Sequence, residues 1–317
     1  MPDRIVLVCA AALLIGACTQ PEEPIRIGVL LWPPYELAHL AEAEGLMPPG
    51  RIRLIDYQTP AEVVRAYRNG LIDGLFLTTQ YALSDYPDRP GTRIIYAINE
   101  SKGGDSLLTR PGLDSFEDLK GKTVALEAGP LGAYILQRVL DLSKLERGDL
   151  KLRFIDTPGH VDAYTSGEVD AVITYEPFRS HVLEAGATEL FSSRDIPGEI
   201  IDVLYVSGQL LENRSEDLVQ FIRALDEARR LLETRPEQAL PVMAQRHQMA
   251  PEAFAGALAG ASLFNLEENM KLLGGERPVL AEKTRSQFEV FRRAGMQQSE
   301  SMDFAEPDAR IVRKVMP

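Results

Sequence analysis

Four acidic residues, Asp105, Glu127, Glu176 and Asp202, each stand at the start or just past the end of an apolar run that reads as a strand. Three aromatic residues, Trp32, Tyr35 and Tyr175, occupy comparable positions. Carboxylates pair with cations and accept hydrogen bonds from amines, and aromatic faces stack on flat rings and attract positive charge. Thr78 and Thr79 add hydroxyls where another apolar run stops, although a threonine there can equally cap the helix that follows. Tyr134 is a further aromatic candidate, and Asp202 could instead fix a hinge by accepting backbone hydrogen bonds. A carboxylate ~5 Å from an anion costs about 3 kcal/mol at an effective dielectric near 20, so two or more would reject an anionic ligand unless Lys102, Arg110 or Arg179 intervened. Gly129-Pro-Leu-Gly132 points the other way, because it opens a helix and helix N-termini attract anions. Glu127 lies just before those donors and can accept them itself, leaving Gly129 to allow close approach of a ligand. The set reads as a pocket for a cationic or amine-bearing organic molecule, for instance an aminopyrimidine stacked on Trp32 and Tyr175 with its amines toward carboxylates.

Motifs for bond-breaking chemistry are absent from the sequence: there is no nucleophile elbow, Walker-type loop, HExxH or paired-cysteine motif. The four histidines, His39, His160, His181 and His247, are scattered without ligand spacing and read as surface or half-buried residues. No catalytic residue, metal or cofactor is expected, and the chain is read as a non-enzyme.

Positioning such a pocket requires strand ends that face one another. A segment occurs twice: Tyr67-Arg-Asn-Gly70-Leu-Ile-Asp73 before Gly74 to Thr78, and Tyr164-Thr-Ser-Gly167-Glu-Val-Asp170 before Ala171 to Tyr175. Each copy reads as a helix end, a glycine suited to a left-handed cap, a turn with Asp, and a buried strand. Open α/β sheets bind ligands beyond the carboxyl ends of their strands, so two such sheets would present these ends as opposite walls of one cleft. The βαβ rhythm over 25–98 and again from 122 predicts a mostly parallel sheet in each lobe, flanked by helices. Residues 25–104 and 207–317 form the first lobe and 105–206 the second, with hinge crossings near 105 and 202. The portion from Ser215 onward reads as helical, including one helix over 251–263, and the last twenty or so residues read as polar and loosely packed.

The chain has 317 residues, 45% hydrophobic and 26% charged, enough for two domains with cores of their own. A net charge of −13 argues against nucleic acid, whose phosphates it would repel. Arg4 precedes an apolar run from Ile5 to Ala17 that is too short to span a bilayer. It reads as a signal peptide over 1–17, followed by a polar tether over 18–24. Cys9 would be removed with that leader, leaving Cys18 as the one cysteine and excluding a disulfide.

Ile15-Gly-Ala-Cys18 resembles a bacterial lipobox, which implies lipidation of Cys18 and anchoring at the cell envelope. Ile27-Gly-Val-Leu-Leu-Trp-Pro-Pro-Tyr35, Asn69-Gly-Leu-Ile-Asp-Gly74, Ser115-Phe-Glu-Asp-Leu-Lys-Gly-Lys-Thr-Val124 and Gly167-Glu-Val-Asp-Ala171 with Tyr175-Glu-Pro177 resemble the nitrate/sulfonate/taurine-type and thiamine-pyrimidine-type substrate-binding proteins of ABC importers. The resemblance covers roughly residues 25 to 235. It implies an α/β, two-lobed type II periplasmic binding fold and a monomeric extracytoplasmic lipoprotein. Such a protein delivers a small molecule from the lobe interface to an ABC permease. The alternative it leaves open is a lipoprotein that presents its closed form to a membrane sensor kinase or cyclase.

Overall fold

Gly70 and Gly167 end the helices of the two repeat copies at φ +68° and +83°, the left-handed region that a Cβ disfavours. Three residues on, Asp73 accepts the backbone N–H of Arg26 at 2.8 Å, and Asp170 accepts that of Thr123 at 2.8 Å. The two copies therefore start their strands by the same device, a carboxylate pinned to the neighbouring strand. The computed structural model describes residues 22–86, 89–296 and 304–316 of the chain. The leader at 1–17, Cys18 and the start of the tether lie outside the described residues.

In the first lobe β1 (Ile25–Val29), α1 (Glu36–Ala43), β2 (Ile52–Asp56), α2 (Pro60–Arg68), β3 (Gly74–Thr78), α3 (Thr79–Asp85) and β4 (Thr92–Ser101) follow in order. The chain crosses at 102–104 into β5 (Asp105–Thr109), β6 (Thr123–Leu126), α4 (Pro130–Leu142), β7 (Lys151–Phe154), α5 (His160–Thr165), β8 (Ala171–Tyr175), α6 (Phe178–Glu184) and β9 (Thr188–Ser192). It returns through 193–200 to β10 (Ile201–Ser207), α7 (Gly208–Asn213), α8 (Ser215–Thr234), α9 (Pro236–Ala244), α10 (Pro251–Leu258), β11 (Ala261–Leu263), α11 (Leu266–Leu273), α12 (Val279–Arg293), β12 (Glu306–Pro307) and α13 (Arg310–Val315).

The first sheet has the order β11-β4-β10-β3-β1-β2, with β12 beside β4, and the second β7-β6-β8-β5-β9. Both are mixed, where the rhythm of the sequence predicts mostly parallel sheets. β1, β2 and β3 are parallel, as are β6, β7 and β8, because helical crossovers join them. β10 runs antiparallel between β3 and β4, and β5 antiparallel between β8 and β9. These two strands enter their sheets from the other lobe, not from a βαβ helix, which reverses their direction. β10 thus belongs to the first lobe, and the sequence-based boundary at 206 places it wrongly in the second.

Two further expectations need correction. The 251–263 helix stops at Leu258, and Ala261–Leu263 instead pairs antiparallel with the end of β4. The C-terminal segment is not loosely packed over its described part: Phe304, Ala305, Ile311 and Val312 are buried, and β12 joins the first sheet. Few apolar residues are involved, but β12 lies along β4, α13 packs on α8, and the Phe304 ring lies under Arg285 of α12.

The crossings are stitched together. Ser193 Oγ accepts the Gly103 N–H at 2.6 Å and lies 2.8 Å from Ser101 Oγ. Lys102 N–H and Gly104 N–H both donate to the Gly260 carbonyl, at 2.8 and 2.9 Å. A Cβ on Gly104 would lie 2.5 Å from the Trp32 ring, so this backbone passes where only glycine fits.

Candidate cleft between the lobes

Pro33 and Pro34 open a short 3-10 turn, Pro33–Tyr35, whose fixed φ angles leave Trp32 extended before it and Tyr35 at its end. Both aromatic side chains are thereby turned toward the β10 and β4 strand ends. Tyr35 Oη donates to Asp202 Oδ1 at 2.5 Å, Asn99 Nδ2 donates to Asp202 Oδ2 at 2.7 Å, and Trp32 Nε1 donates to Asn99 Oδ1 at 3.2 Å. Asp202 pairs in register with Thr78 at the end of β3 and with Asn99. From the second lobe, Asp105 at the start of β5 pairs with Tyr175 at the end of β8.

These elements meet in one cleft lined by Leu30, Trp32, Tyr35, Leu77, Thr78, Tyr81, Asp105, Leu131, Tyr175 and Asp202, with Pro60 at its edge. The space left between the walls is about 30 Å³, room for a couple of water molecules. The lobes touch across it: the Trp32 and Tyr175 rings meet edge to face at 6.1 Å, and Tyr81 Oη donates to Glu127 Oε1 at 2.6 Å. Gly129 permits the second contact, because a Cβ there would stand 2.3 Å from Tyr81 Oη.

Burial dominates the electrostatics. It pushes the Asp105 carboxyl up to about 8, partly offset by the Ser101 hydroxyl and reinforced by Asp202, Glu127 and Glu176. Burial also lifts Asp202 to about 6, against the hydrogen bonds from Tyr35 and Asn99. Glu127 is raised by burial despite its bonds to Tyr81 and Thr157. The hydroxyls of Tyr35, Tyr81 and Tyr175 are held well above their ordinary value by burial and the nearby carboxylates, so they remain donors. Thr78 Oγ1 is buried without a hydrogen-bond partner and does not cap α3, the role that competed with ligand contact in the sequence. No Lys, Arg or His is among the described residues lining the cleft.

The structure thus brings Trp32, Tyr35, Thr78, Asp105, Tyr175 and Asp202 together, with Glu127 and Gly129 behind Tyr81. It separates three other candidates. Glu176 accepts from Arg179 Nη1 at 2.9 Å and from the Ser180 N–H at 3.1 Å, so it folds back onto α6 and is not at the cleft wall. Tyr134 sits on the far face of α4, where it donates to Glu199 Oε2 at 2.7 Å beside Arg138. Thr79 is fully buried and turned toward Gln80, 3.4 Å away. Arg179 is held by Glu176 and Glu189, Arg110 donates to the Val169 carbonyl, and Lys102 is exposed; none of them neutralises the cleft. His160 and His247 are buried, contrary to the surface reading; both His160 ring nitrogens are satisfied, by Thr174 Oγ1 and the Ile155 carbonyl.

Tyr81 and Asn99 were missed. Both carried a signal: an amide inside the apolar run of β4, and a tyrosine in the first turn of the helix after a strand end.

The profile of the family described as NMT1/THI5 like matches residues 54–239. The chain belongs to that family. The match includes Thr78, Tyr81, Asp105, Glu127, Tyr175 and Asp202, and leaves Trp32 and Tyr35 outside. A protein of Brucella abortus (strain 2308), provisionally described as a binding protein, is 24% identical over 159 residues, 49% of this chain and 50% of its own. The chain spans about half the length of the curated relatives it matches.

Among solved structures, the alkanesulfonate-binding protein SsuA from Xanthomonas axonopodis pv. citri, bound to MOPS, superposes with a TM-score of 0.75 at 18% identity, over 89% of this chain and 96% of its own. The ligand-binding component of an ABC-type import system from Staphylococcus aureus, with zinc bound, gives 0.75 at 13% identity over 93% and 99%. The fold also carries catalysis, since the desulfurization enzyme DszB gives 0.65 at 15% over 92% and 98%. These likenesses establish the fold, a two-lobed α/β periplasmic-binding architecture. Among the described residues of this chain, no group of three or more His, Cys, Asp or Glu is arranged to hold a metal ion, and no helix is long and apolar enough to cross a membrane.

Proposed function

We propose that this protein is an extracytoplasmic solute-binding lipoprotein. It would capture a small cationic or amine-bearing organic molecule between its lobes and deliver it to an ABC permease. Anchoring through Cys18 and action as a monomer belong to the same reading. The family, and the roles of the import-system and sulfonate-binding neighbours, support solute capture over catalysis.

The observation that carries the ligand class is the cleft lining. Asp105 and Asp202 face aromatic and aliphatic walls with a free Thr78 hydroxyl, and among the described residues no basic side chain lines the space. A sulfonate there would lie beside the Asp202 carboxylate with only a proton on Asp105 to offset its charge, whereas an ammonium or amidinium would be paired. Trp32 and Tyr175 would flank a flat or aliphatic body.

Trp32 is the sole tryptophan and lines the cleft, so its fluorescence reports binding directly. Titration with a panel running from methylammonium to benzamidinium and the uncharged amine 2-aminopyrimidine, and from methanesulfonate to benzenesulfonate, should give saturable changes with the cationic and amine-bearing members only. A saturable response confined to sulfonates would overturn the ligand class. Silence across the whole panel, together with unchanged lobe separation, would count against solute capture.

A further inference from the structure

Asp105 and Asp202 hold corresponding places relative to the hinge. Asp105 is the first residue of β5, directly after the crossing at 102–104, and Asp202 is the second residue of β10, directly after the crossing at 193–200. Each is the first acidic group that the chain carries into its sheet after leaving the other lobe. Both are buried and both line the same narrow space, Asp202 on the first sheet and Asp105 on the second. Closing the lobes therefore brings two carboxyl groups from opposite sheets into one poorly hydrated volume.

The groups facing them come from every surrounding element. Tyr35 after β1, Thr78 at the end of β3, Tyr81 on α3 and Tyr175 at the end of β8 supply hydroxyls. Glu127 after β6 and Glu176 after β8 supply further negative charge, the second already paired with Arg179. Asn99 and Trp32 donate only toward the Asp202 side, directly or in relay. Asp202 is thus supplied with two donors, from Tyr35 and Asn99, and can carry its charge when closed. Asp105 has the Ser101 hydroxyl beside it and no cation within the lining.

We propose that the lobes close on a single positive charge at Asp105: a proton when the cleft is empty, and the cationic group of the ligand when it is loaded. The ligand half rests on the cation reading given above; the proton half does not. The closed state holds the Asp105 proton up to about pH 8, whereas a hydrated carboxyl loses it near pH 4. Between about pH 6, where Asp202 has lost its proton, and pH 8 the closed form binds one more proton than the open form, so its population relative to open falls by up to tenfold per pH unit as pH rises. A cation supplies the missing charge and removes that dependence. An uncharged analogue of the same shape does not. Asp105 is accordingly a specificity-determining residue as well as the group that sets closure.

The test uses the full-length chain with Cys9 and Cys18 replaced by serine and dyes on Leu71→Cys and Phe154→Cys, exposed positions on separate lobes. Interlobe energy transfer is followed from pH 4.5 to 9 without ligand. The expected result is opening as pH rises in the wild type and, in Asp105→Asn, no transition above about pH 6, only the part that Asp202 contributes below it. In Asp202→Asn the pH dependence ends at a lower pH, because a neighbour whose charge raises the Asp105 carboxyl in the closed form is gone. A wild-type distance that is constant over this range, or that changes identically in Asp105→Asn, overturns the proton half. Should Asp105→Asn fail to fold, the Asp202→Asn profile decides alone, and a pH dependence that extends to the same upper pH as in the wild type overturns the proposal. At pH 8.5, benzamidinium or methylguanidinium should close the wild type, and benzenesulfonate should not. Proton-driven closure without closure by either cation would retain the gate and overturn the ligand half together with the reading it rests on.

Discussion

Replacing Tyr81 by Phe removes one hydroxyl and tests how the lobes hold one another. In the closed form that hydroxyl donates at 2.6 Å to Glu127 Oε1 across the cleft, and both side chains are more than nine-tenths buried. Hydrogen bonds to charged acceptors contribute about 1.5–3 kcal/mol net, and a buried acceptor stripped of its donor pays a desolvation cost of similar size. Glu127 keeps Thr157 on its other oxygen, at 3.3 Å, which softens the loss. In the open form both groups meet water, so most of the difference falls on the closed state. A shift of about 1–2 kcal/mol toward open follows, a five- to thirtyfold fall in the closed-to-open ratio.

Gly129→Ala attacks the same contact from the other lobe, because its Cβ would stand 2.3 Å from the Tyr81 hydroxyl. The two variants should therefore be non-additive: once Gly129→Ala has displaced Tyr81, removing the hydroxyl should matter little. Single-molecule energy transfer across the cleft measures the ratio for both singles and the double. An unchanged ratio in Tyr81→Phe, or strict additivity in the double, would refute the latch.

Three other perturbations follow from the geometry. Asp73→Asn and Asp170→Asn should each cost about 1–2 kcal/mol in urea denaturation, as each loses a strand-starting bond. The Asp73 variant should be the costlier, since Asp73 also holds the Arg26 guanidinium at 2.8–2.9 Å. Burial pushes the His160 imidazole down to about 4, so the unfolded chain takes up its proton first. The stability it supports is complete above about pH 6.5 and declines by about 3 kcal/mol as pH falls to about 4. His160→Gln should flatten that part of the melting-temperature profile, and an unaltered slope would show that other groups set it. Gly104→Ala would drive a Cβ to 2.5 Å from the Trp32 ring and 3.0 Å from the Gly260 carbonyl. It should cost about 1–3 kcal/mol and move the Trp32 emission maximum, which scanning fluorimetry reads directly.

Backbone position was the legible part of this chain. Gly70 and Gly167 announce left-handed caps, and the strands after them end where a parallel sheet presents its ligand side, which located Thr78 and Tyr175. Trp32 and Tyr35 followed from two prolines that fix the loop after β1. Side-chain direction was not legible. Glu176 ends the strand as Tyr175 does, yet the turn into α6 carries Arg179 and the Ser180 N–H to it and draws it off the wall. Tyr134 is in the same helix as the cleft residue Leu131, but one turn on it faces Phe291 of α12 and Glu199 of the return crossing, which receive it. The antiparallel course of β5 and β10 was hidden as well, because an apolar alternating run looks the same in either direction. Tyr81 escaped because its partner, Glu127, lies in the other lobe and no local pattern connects the two.

Calorimetric titration at pH 8 with benzamidinium and with benzenesulfonate, two probes of like shape and opposite charge, tests the central claim most directly. Saturable heat is predicted for the cation alone, lost in Asp105→Asn and at least tenfold weaker in Asp202→Asn. Saturable heat for benzenesulfonate alone, or cation binding that both variants leave intact, would contradict a carboxylate-lined receptor for positive charge.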